Sequence, residues 1–322
     1  MQSSRWRIAA LGAAVMLLAG CGHRLHVVDD AFHWEDELPA GSTVHVRTTN
    51  GRVEVSPSHE SAVRIAGSKR WRTGREGDVQ FMTTRSGNDV YVCAVWGRGR
   101  CDERGYQSKG RSFSILRIFS LFNRRGSDMT VDIDVSLPPG VKIDAGTSNG
   151  SIEVDGASAG VMAHTTNGQV EVRDASGAVS ATTVNGNVSV QLDSLGDTDA
   201  LHFETVNGSV KAHLPASLAG TVQLSTVNGS VTSDFPISIA GSVNRHQIRG
   251  QIGSSTRPIV LRSVNGGVQL LKGNSSHSDE DVDADTDDST NVSPVVAPTP
   301  PEAPRAPLSP VSRKAQKAQR RP

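Results

Sequence analysis

Residues 182–190 read TTVNGNVSV, and nearly the same phrase returns as TVNGSVKA at 205–212 and TVNGSVTS at 226–233. The Asn-Gly pairs of the chain are Asn50–Gly51, Asn149–Gly150, Asn167–Gly168, Asn185–Gly186, Asn207–Gly208, Asn228–Gly229 and Asn265–Gly266. From Asn149 onward the last interval is about twice the others, and its middle holds IRGQI at 248–252. We interpret Gly250 there as the same motif with Arg in place of Asn. Self-similarity at roughly 20 residues predicts a solenoid or an array.

An Asn-Gly pair between strands normally indicates a two-residue hairpin turn. The spacing of the valines argues against that here, because Val184, Val188 and Val190 fall in one period-2 phase. An even spacing keeps one face if the chain continues in extended form. We therefore predict that each Asn-Gly pair is a tight corner of a β-solenoid coil, and that Asn side chains of successive coils stack and form hydrogen bonds.

The composition fits this all-β prediction. The chain has 322 residues, 32 of them Gly, and only 4% are aromatic. Such a chain is long enough for a sizeable core, and its composition suits many short strands and turns. Strand patterns also precede the repeats, in VHVRTTNGRVEV at 44–55 and DVYVCAVW at 89–96.

The N-terminus resembles a bacterial lipoprotein signal. Arg5 and Arg7 precede an apolar stretch at 8–20 that is short for a membrane span, and Leu18-Ala19-Gly20 leads into Cys21. The resemblance implies that residues 1–20 are removed and that Cys21 carries lipid, including palmitate. With Gly22 after the cysteine it implies the outer membrane of the cell envelope. We expect residues 21–37 to be a tether and the membrane to be a partner through Cys21.

Export determines how the other two cysteines are interpreted. Cys93 and Cys101 are close in sequence, and in an oxidising compartment we expect a disulfide between them. A metal site is the alternative, but two cysteines without clustered histidines are a poor one. The sequence indicates no metal and no cofactor.

A domain resemblance follows from the repeats. The segment VDIDVSLPPGVKIDAGTSNGSIEVDG at 131–156, followed by T-x-N-G-x-V coils, resembles the adhesin-like domain family DUF4097. The resemblance implies an exported or envelope-attached β-solenoid over residues 38–273 and supplies no catalytic residues. A basic insertion near 93–126 departs from the repeat pattern. Residues 274–322 are acidic, then Pro-rich, then basic, and we predict that they are disordered.

Enzyme signals are weak. Gly156-Ala157-Ser158-Ala159-Gly160 matches G-x-S-x-G, but the strand-to-helix turn that this motif needs is not predicted. The scattered histidines are His164, His202, His213 and His246, none at metal-ligand spacing. The carboxylates that alternate with apolar residues include Asp132, Asp134, Glu153, Asp155 and Glu171, a pattern typical of the solvated face of strands. A polysaccharide-acting enzyme stays open, because sequence cannot show whether acids cluster.

The most informative segment is basic. Residues 61–126 contain fourteen Arg or Lys and five Asp or Glu, while the whole chain has no formal net charge at pH 7. Segregated charge steers partners, and for an exported protein the polyanions are envelope polymers rather than nucleic acid. The candidate contacts are Lys69, Arg70, Arg72, Arg98, Arg100, Arg104 and Arg111. The apolar run 113–122 predicts a short helix, either a cap on the solenoid or a membrane or partner contact.

These observations predict a non-enzymatic, lipid-anchored envelope protein that binds or organises anionic envelope polymers or a protein partner. The alternatives are a polysaccharide-acting enzyme and an accessory protein of envelope stress, which the family resemblance suggests. The sequence leaves open whether the body faces the periplasm or the outside.

Overall fold

The computed structural model describes residues 25–97, 99–102, 105–107, 128–196, 199–239 and 246–273. All of them lie in a compact unit that spans Met1–His277. The second unit, Ser278–Pro322, contains no described residue. The predicted signal peptide, the predicted lipidation site Cys21, the run 113–122 and the predicted tail therefore lie outside the described residues.

The described part of the chain is almost entirely β-strand, with one 3₁₀ turn at Glu76–Asp78. The strands are β1 (His26–Glu37), β2 (Thr43–Arg47), β3 (Val53–Pro57), β4 (Ala62–Trp71), β5 (Val79–Ser86), β6 (Asp89–Trp96), β7 (Arg100–Asp102), β8 (Gly105–Gln107), β9 (Thr130–Leu137), β10 (Lys142–Gly146), β11 (Ile152–Asp155), β12 (Val161–His164), β13 (Val170–Arg173), β14 (Val179–Asn185), β15 (Val188–Gln191), β16 (Leu201–Asn207), β17 (Val210–Leu214), β18 (Gly220–Ser225), β19 (Val231–Ser233), β20 (Gln247–Ile252), β21 (Pro258–Asn265) and β22 (Val268–Lys272). Across these described ranges, no helix is long and apolar enough to cross a membrane.

Two ten-stranded sheets face each other across one core. Sheet A has the order β1-β4-β9-β3-β11-β13-β15-β17-β22-β19, and sheet B has the order β20-β18-β21-β16-β14-β12-β10-β2-β6-β5. Each coil contributes one strand to each sheet, and the Asn-Gly corner joins the two strands. Neighbouring coils pair parallel and in register, for example Val170 with Val188 and Asn185 with Asn207. The predicted β-solenoid is confirmed.

The order of the coils differs from their order in the chain. The last coil, β21 and β22, lies between β16/β17 and β18/β19, so Asn265 stacks between Asn207 and Asn228. The prediction that Gly250 marks a further corner is wrong. Gly250 lies inside β20, which pairs antiparallel with β18 at the edge of sheet B.

The prediction that Val184, Val188 and Val190 share one face is also wrong, although the chain does turn a corner at each Asn-Gly pair. In β14 the buried side chains are Val179, Ala181 and Thr183, whereas Val184 is half-buried. The next buried residue is Val188, five residues after Thr183, because the corner shifts the alternation of buried and exposed side chains by an odd number of residues. In the coils β18/β19 and β21/β22 the same position is exposed, with Val227 63% and Val264 37% accessible.

The predicted tether is shorter than expected. Residues 26–37 form β1, which pairs antiparallel with β4 with a bulge between Val28 and Phe32. Phe32 packs against the core and stacks on Phe81 of β5 at 4.6 Å between ring centroids. Phe81 in turn fills the space beside Gly67 of β4, where any Cβ would overlap its ring. These contacts close the core at this end of the stack, as solenoids require.

The basic insertion begins with a short hairpin on the outer face of sheet B. Cys101 of β7 forms a disulfide with Cys93 of β6. The Thr84 hydroxyl on β5 donates to the Cys101 carbonyl at 3.0 Å. Tyr91, Cys93, Val95 and Cys101 form a second apolar cluster, separate from the main core. This part of the basic insertion is therefore a β7–β8 hairpin.

Candidate functional site

The Asn-Gly corners form a continuous ladder along the stack. Each asparagine after Asn50 donates from Nδ2 to Oδ1 of the asparagine in the neighbouring coil at 2.6–2.8 Å. The order is Asn50, Asn149, Asn167, Asn185, Asn207, Asn265 and Asn228. The ladder is the stacking that the repeats predicted, and its amides satisfy one another.

The glycine of each corner permits close approach between coils. Gly186 has a φ of 153°, and a Cβ there would overlap the carbonyl oxygen of Gly168 in the coil below. The same overlap holds at Gly51, Gly150, Gly168, Gly208, Gly229 and Gly266. Only glycine fits at this distance.

A second ladder, which the sequence analysis did not identify, lies just inside the first. At six of the seven corners, the residue two places before the asparagine is a buried Thr or Ser that donates its hydroxyl to the corner glycine carbonyl of the neighbouring coil at 2.8–3.0 Å. These residues are Thr147, Thr165, Thr183, Thr205, Thr226 and Ser263. At the first corner, Thr48 donates to the Val131 carbonyl instead, at 3.3 Å. The Thr or Ser that recurs two places before Asn-Gly in the sequence could have predicted this ladder. Both ladders are structural, and neither offers a reactive group.

The densest polar cluster lies on the outer face of sheet B. The Asp144 carboxylate on β10 is held by His45 Nδ1 at 2.7 Å and Arg47 Nη2 at 2.5 Å, both on β2 and both at Oδ2. The His45 ring stacks on Tyr91 of β6 at 4.2 Å between centroids. His164 on β12 approaches from the other side, with Nδ1 3.7 Å from Asp144 Oδ1. We call His45, Arg47, Asp144 and His164 the Asp144 cluster.

Gly146 makes this cluster possible. Its position on β10 lies between Arg47 of β2 and His164 of β12 in register. A Cβ at Gly146 would overlap the imidazole of His164 and crowd the side chain of Arg47. The side chains of Arg47 and His164 therefore occupy the space that a Cβ at position 146 would fill, and they cover Asp144. Asp144 Oδ1 is buried and accepts no hydrogen bond from the described residues.

The cluster shifts two pKa values downward. Burial alone would raise the pKa of Asp144, but the hydrogen bond from His45 and the positive charge of Arg47 lower it from 3.8 to about 2. Partial burial, with the charge of Arg47, lowers the pKa of His164 from 6.5 to about 4, against the attraction of Asp144. At neutral pH the cluster thus holds one ionised carboxylate, one guanidinium and a neutral His164.

The second concentration of charge lies on the outer face of sheet A. A shallow depression of about 560 Å³ there is lined by residues that include Asp29, Arg52, Arg70, Asp132 and Asp134. Asp132 accepts from the Arg52 backbone N–H at 3.0 Å and forms an ion pair with Arg70. Asp132 and Asp134 converge, but each lies within ion-pair reach of an arginine, Asp134 at 3.9 Å from Arg52.

The predicted basic contacts separate into four groups. Lys69 is wrong as a surface contact, because it is buried and donates to the Val79 carbonyl at 2.8 Å, and burial lowers its pKa. Arg70 is engaged by Asp132. Arg72 and Arg100 are exposed. Arg98, Arg104 and Arg111 lie outside the described residues.

The remaining predicted candidates do not converge. Ser158 lies in the turn between β11 and β12, where its Oγ accepts from the Gly140 N–H at 2.9 Å. His202 pairs with Glu204 at 3.3 Å, and Arg173 bridges Glu153 and Glu171. Within the described ranges, no group of three His, Cys, Asp or Glu side chains is placed to hold a metal ion.

A family model agrees with the architecture. Residues 120–271 match the family model described as Toastrack DUF4097. A crystal structure from Clostridium sporogenes ATCC 15579, described as a "putative cell adhesion protein", aligns with a TM-score of 0.41 and 13% identity, over 75% of this chain and 99% of that chain. The search of curated proteins found no match. The resemblance predicted from the repeats is confirmed over residues 120–271, which are similar to the Toastrack DUF4097 family.

Proposed function

We propose that this chain is a non-enzymatic cell-envelope protein, exported and acylated at Cys21, whose β-solenoid body binds an anionic envelope polymer through its basic segment. The body is a stiff stack in which each coil is fixed to the next by backbone pairing and two side-chain ladders. Repeated surface chemistry on such a body suits multivalent weak contacts.

The observation that carries the non-enzymatic part is the state of the clustered carboxylates. An acid catalyst needs a proton near its working pH, but Asp144 has a pKa of about 2 and is already bound by His45 and Arg47. Asp132 is similarly engaged by Arg70 and by the Arg52 backbone. These contacts favour a structural role over the polysaccharide-acting alternative.

Ion pairs within the basic segment reduce the number of arginines that are available to bind a polymer. Arg64 pairs with Glu35 at 3.2 Å, Arg85 pairs with Asp36 at 2.7 Å, and Arg70 pairs with Asp132. Those arginines are partly neutralised. The exposed Arg72 and Arg100, together with the arginines outside the described residues, are the better contacts for a polyanion.

The test is a charge-reversal pair with a matched control. We expect Arg72→Glu/Arg100→Glu to weaken low-salt binding of the full-length protein to lipopolysaccharide several-fold, and wild-type binding to fall as salt rises. The control is Arg249→Glu/Arg262→Glu, which changes the net charge equally at two exposed arginines on β20 and β21, toward the opposite end of sheet B. Equal binding by all variants, after correction for net charge, would contradict the basic-segment contact.

The anchor and the orientation need their own measurements. Mass spectrometry of the mature N-terminus tests acylation, and Cys21→Ser should release the protein from membranes. Protease treatment of intact cells, with a periplasmic control protein, then tests which way the body faces. Digestion in intact cells indicates surface display, and survival until the outer membrane is opened indicates an inward-facing body.

A further inference from the structure

The start of β1 lies very close to the proposed acylation site. Leu25 is the first described residue and β1 begins at His26, which pairs with Trp71 at the end of β4. Cys21 precedes Leu25 by only four residues. Four residues of fully extended chain span at most about 14 Å. If Cys21 is acylated, as the proposed function holds, the His26 end of β1 must therefore lie at the lipid headgroups.

The side chains at this end suit such a place. Leu25 is 55% exposed and Val27 is 47% exposed, whereas Val28 and Phe32 on the same strand pack against the core. β1 is also the edge strand of sheet A. Two exposed apolar side chains at the point where the chain leaves for its anchor would otherwise stay in contact with water.

The charges nearby are balanced. Arg72 and Arg75 are exposed in the turn after β4, beside the exposed Glu76 and Asp128. Asp128 accepts from the backbone N–H groups of Arg72 and Thr73 at 2.9 and 2.8 Å, which fixes this turn. The insertion of Leu25 and Val27 is apolar in origin, so we expect that insertion to depend little on salt, in contrast to polymer binding through Arg72 and Arg100.

We propose that the start of β1 is a membrane-contact surface, where Leu25 and Val27 enter the interface of the leaflet that holds the acyl chains of Cys21. Sheet A then leads away from that contact. Its opposite edge, β19, is nine strand spacings distant, about 43 Å at roughly 4.8 Å per strand. The inference rests on the proposed anchor but adds an orientation that the anchor alone does not require.

The test uses an environment-sensitive probe at each edge of sheet A. Val27→Cys and Thr232→Cys, the latter exposed on β19, are made in the full-length acylated protein and labelled with a nitrobenzoxadiazole thiol reagent. The chain has three cysteines, so with Cys21 acylated and Cys93 joined to Cys101 the introduced thiol labels selectively. Labelled proteins are reconstituted into vesicles of phosphatidylethanolamine and phosphatidylglycerol.

The expected result is a blue shift at position 27 with quenching by spin-labelled lipids, unchanged at high salt, and neither effect at position 232. Water-like emission at position 27 in vesicle-bound, acylated protein overturns the inference and leaves the anchor intact. A blue shift at position 27 without vesicles assigns the surface to a second copy of the chain and also overturns it. Absence of acylation by mass spectrometry instead removes the anchor, and this inference with it.

Discussion

At the scale of single residues, the three positions of the T-x-N-G phrase have different physical tasks. The asparagine satisfies its amide on its neighbours, the glycine permits two coils to approach, and the threonine carries the buried hydroxyl that meets the glycine carbonyl. Because the tasks differ, substitutions at the three positions should cost different amounts.

Replacing the corner asparagine should lower the free energy of unfolding less than replacing the corner glycine. Asn185 donates to Asn167 and accepts from Asn207, both at 2.7 Å, but its side chain is exposed. We expect Asn185→Ala to lower the free energy of unfolding by about 1–2 kcal/mol, measured by urea denaturation. Asn88→Ala, at an exposed turn asparagine, is the control and should change it by less than about 0.5 kcal/mol. Equal losses would mean that the ladder contributes nothing.

The glycine should be far more sensitive. Gly186→Ala places a Cβ where the Gly168 carbonyl oxygen already lies and demands a φ of 153° from alanine. We expect a loss of about 4 kcal/mol or more, seen as a large drop in melting temperature or as insoluble protein. Gly77→Ala, where nothing lies within 4 Å of the new Cβ, should fold normally. A normal melting temperature for Gly186→Ala would contradict the close approach of the coils.

His164 should make stability depend on pH. Its pKa is about 4 in the folded protein against 6.5 ordinarily, so the unfolded chain binds the extra proton. Stability is therefore complete above about pH 6.5 and falls as the pH drops towards 4. Unscreened, this shift is worth about 3 kcal/mol. Because 45% of the His164 side chain is exposed, we expect only about 1 kcal/mol.

The measurement compares urea denaturation of wild type and His164→Asn between pH 7 and pH 4.5. The variant should lose less stability across that range. Other groups titrate alike in both proteins, among them His213, whose pKa burial also lowers. Parallel pH curves would show that His164 titrates normally in the folded protein.

At the scale of elements, the β7–β8 hairpin is held on the outer face of sheet B by Cys93–Cys101. We expect Cys93→Ala/Cys101→Ala to cost about 2–3 kcal/mol, because a short loop is released and the second apolar cluster loses its cover. Far-UV circular dichroism should keep its β signal, since the main core does not include these residues. Loss of that signal would show that the hairpin is needed for the stack itself.

The elements also show what sequence reasoning could reach. Corners, strands and the asparagine ladder were predictable because each repeats the same local chemistry. The prediction of a tether failed over residues 26–37, because HVVDDAFHWEDE lacks strict alternation of apolar and polar residues and pairs with β4 through a bulge. The prediction of a shared valine face failed because it assumed that side chains an even number of residues apart stay on one face through the corner. The buried residues on either side of the corner are instead Thr183 and Val188, five residues apart.

The Asp144 cluster was missed although a signal existed. Aligning the repeats on Asn-Gly places His45 and Asp144 five residues before their asparagines, and Arg47, Gly146 and His164 three residues before theirs. That alignment puts all of them on adjacent coils. Hydrogen bonding and burial still depend on the rotamers around Gly146, which no pattern encodes.

At the scale of the whole molecule, the two sheets share one core, yet charge is unevenly distributed over them. Ion pairs link neighbouring strands of sheet A, such as Arg64 with Glu35 and Arg173 with Glu153. Most of this surface is therefore self-neutralised. The molecule's response to salt should come from the basic segment, which is why the charge-reversal experiment places its control at the other end of sheet B.

The interleaved coil order also has a consequence for incomplete chains. In a solenoid that winds in sequence, a chain cut short is simply a shorter solenoid with the same kind of end. Here residues 258–272 form an inner coil, and their core side chains Ile259, Leu261, Val268 and Leu270 are fully buried between coils made earlier in the chain. A chain that ends before them leaves β19 without its neighbour, β18 paired with β20 alone, and two apolar coil faces open to water. Completion of the polypeptide is thus a condition of folding, and truncated products expose the apolar surface that proteases and chaperones recognise.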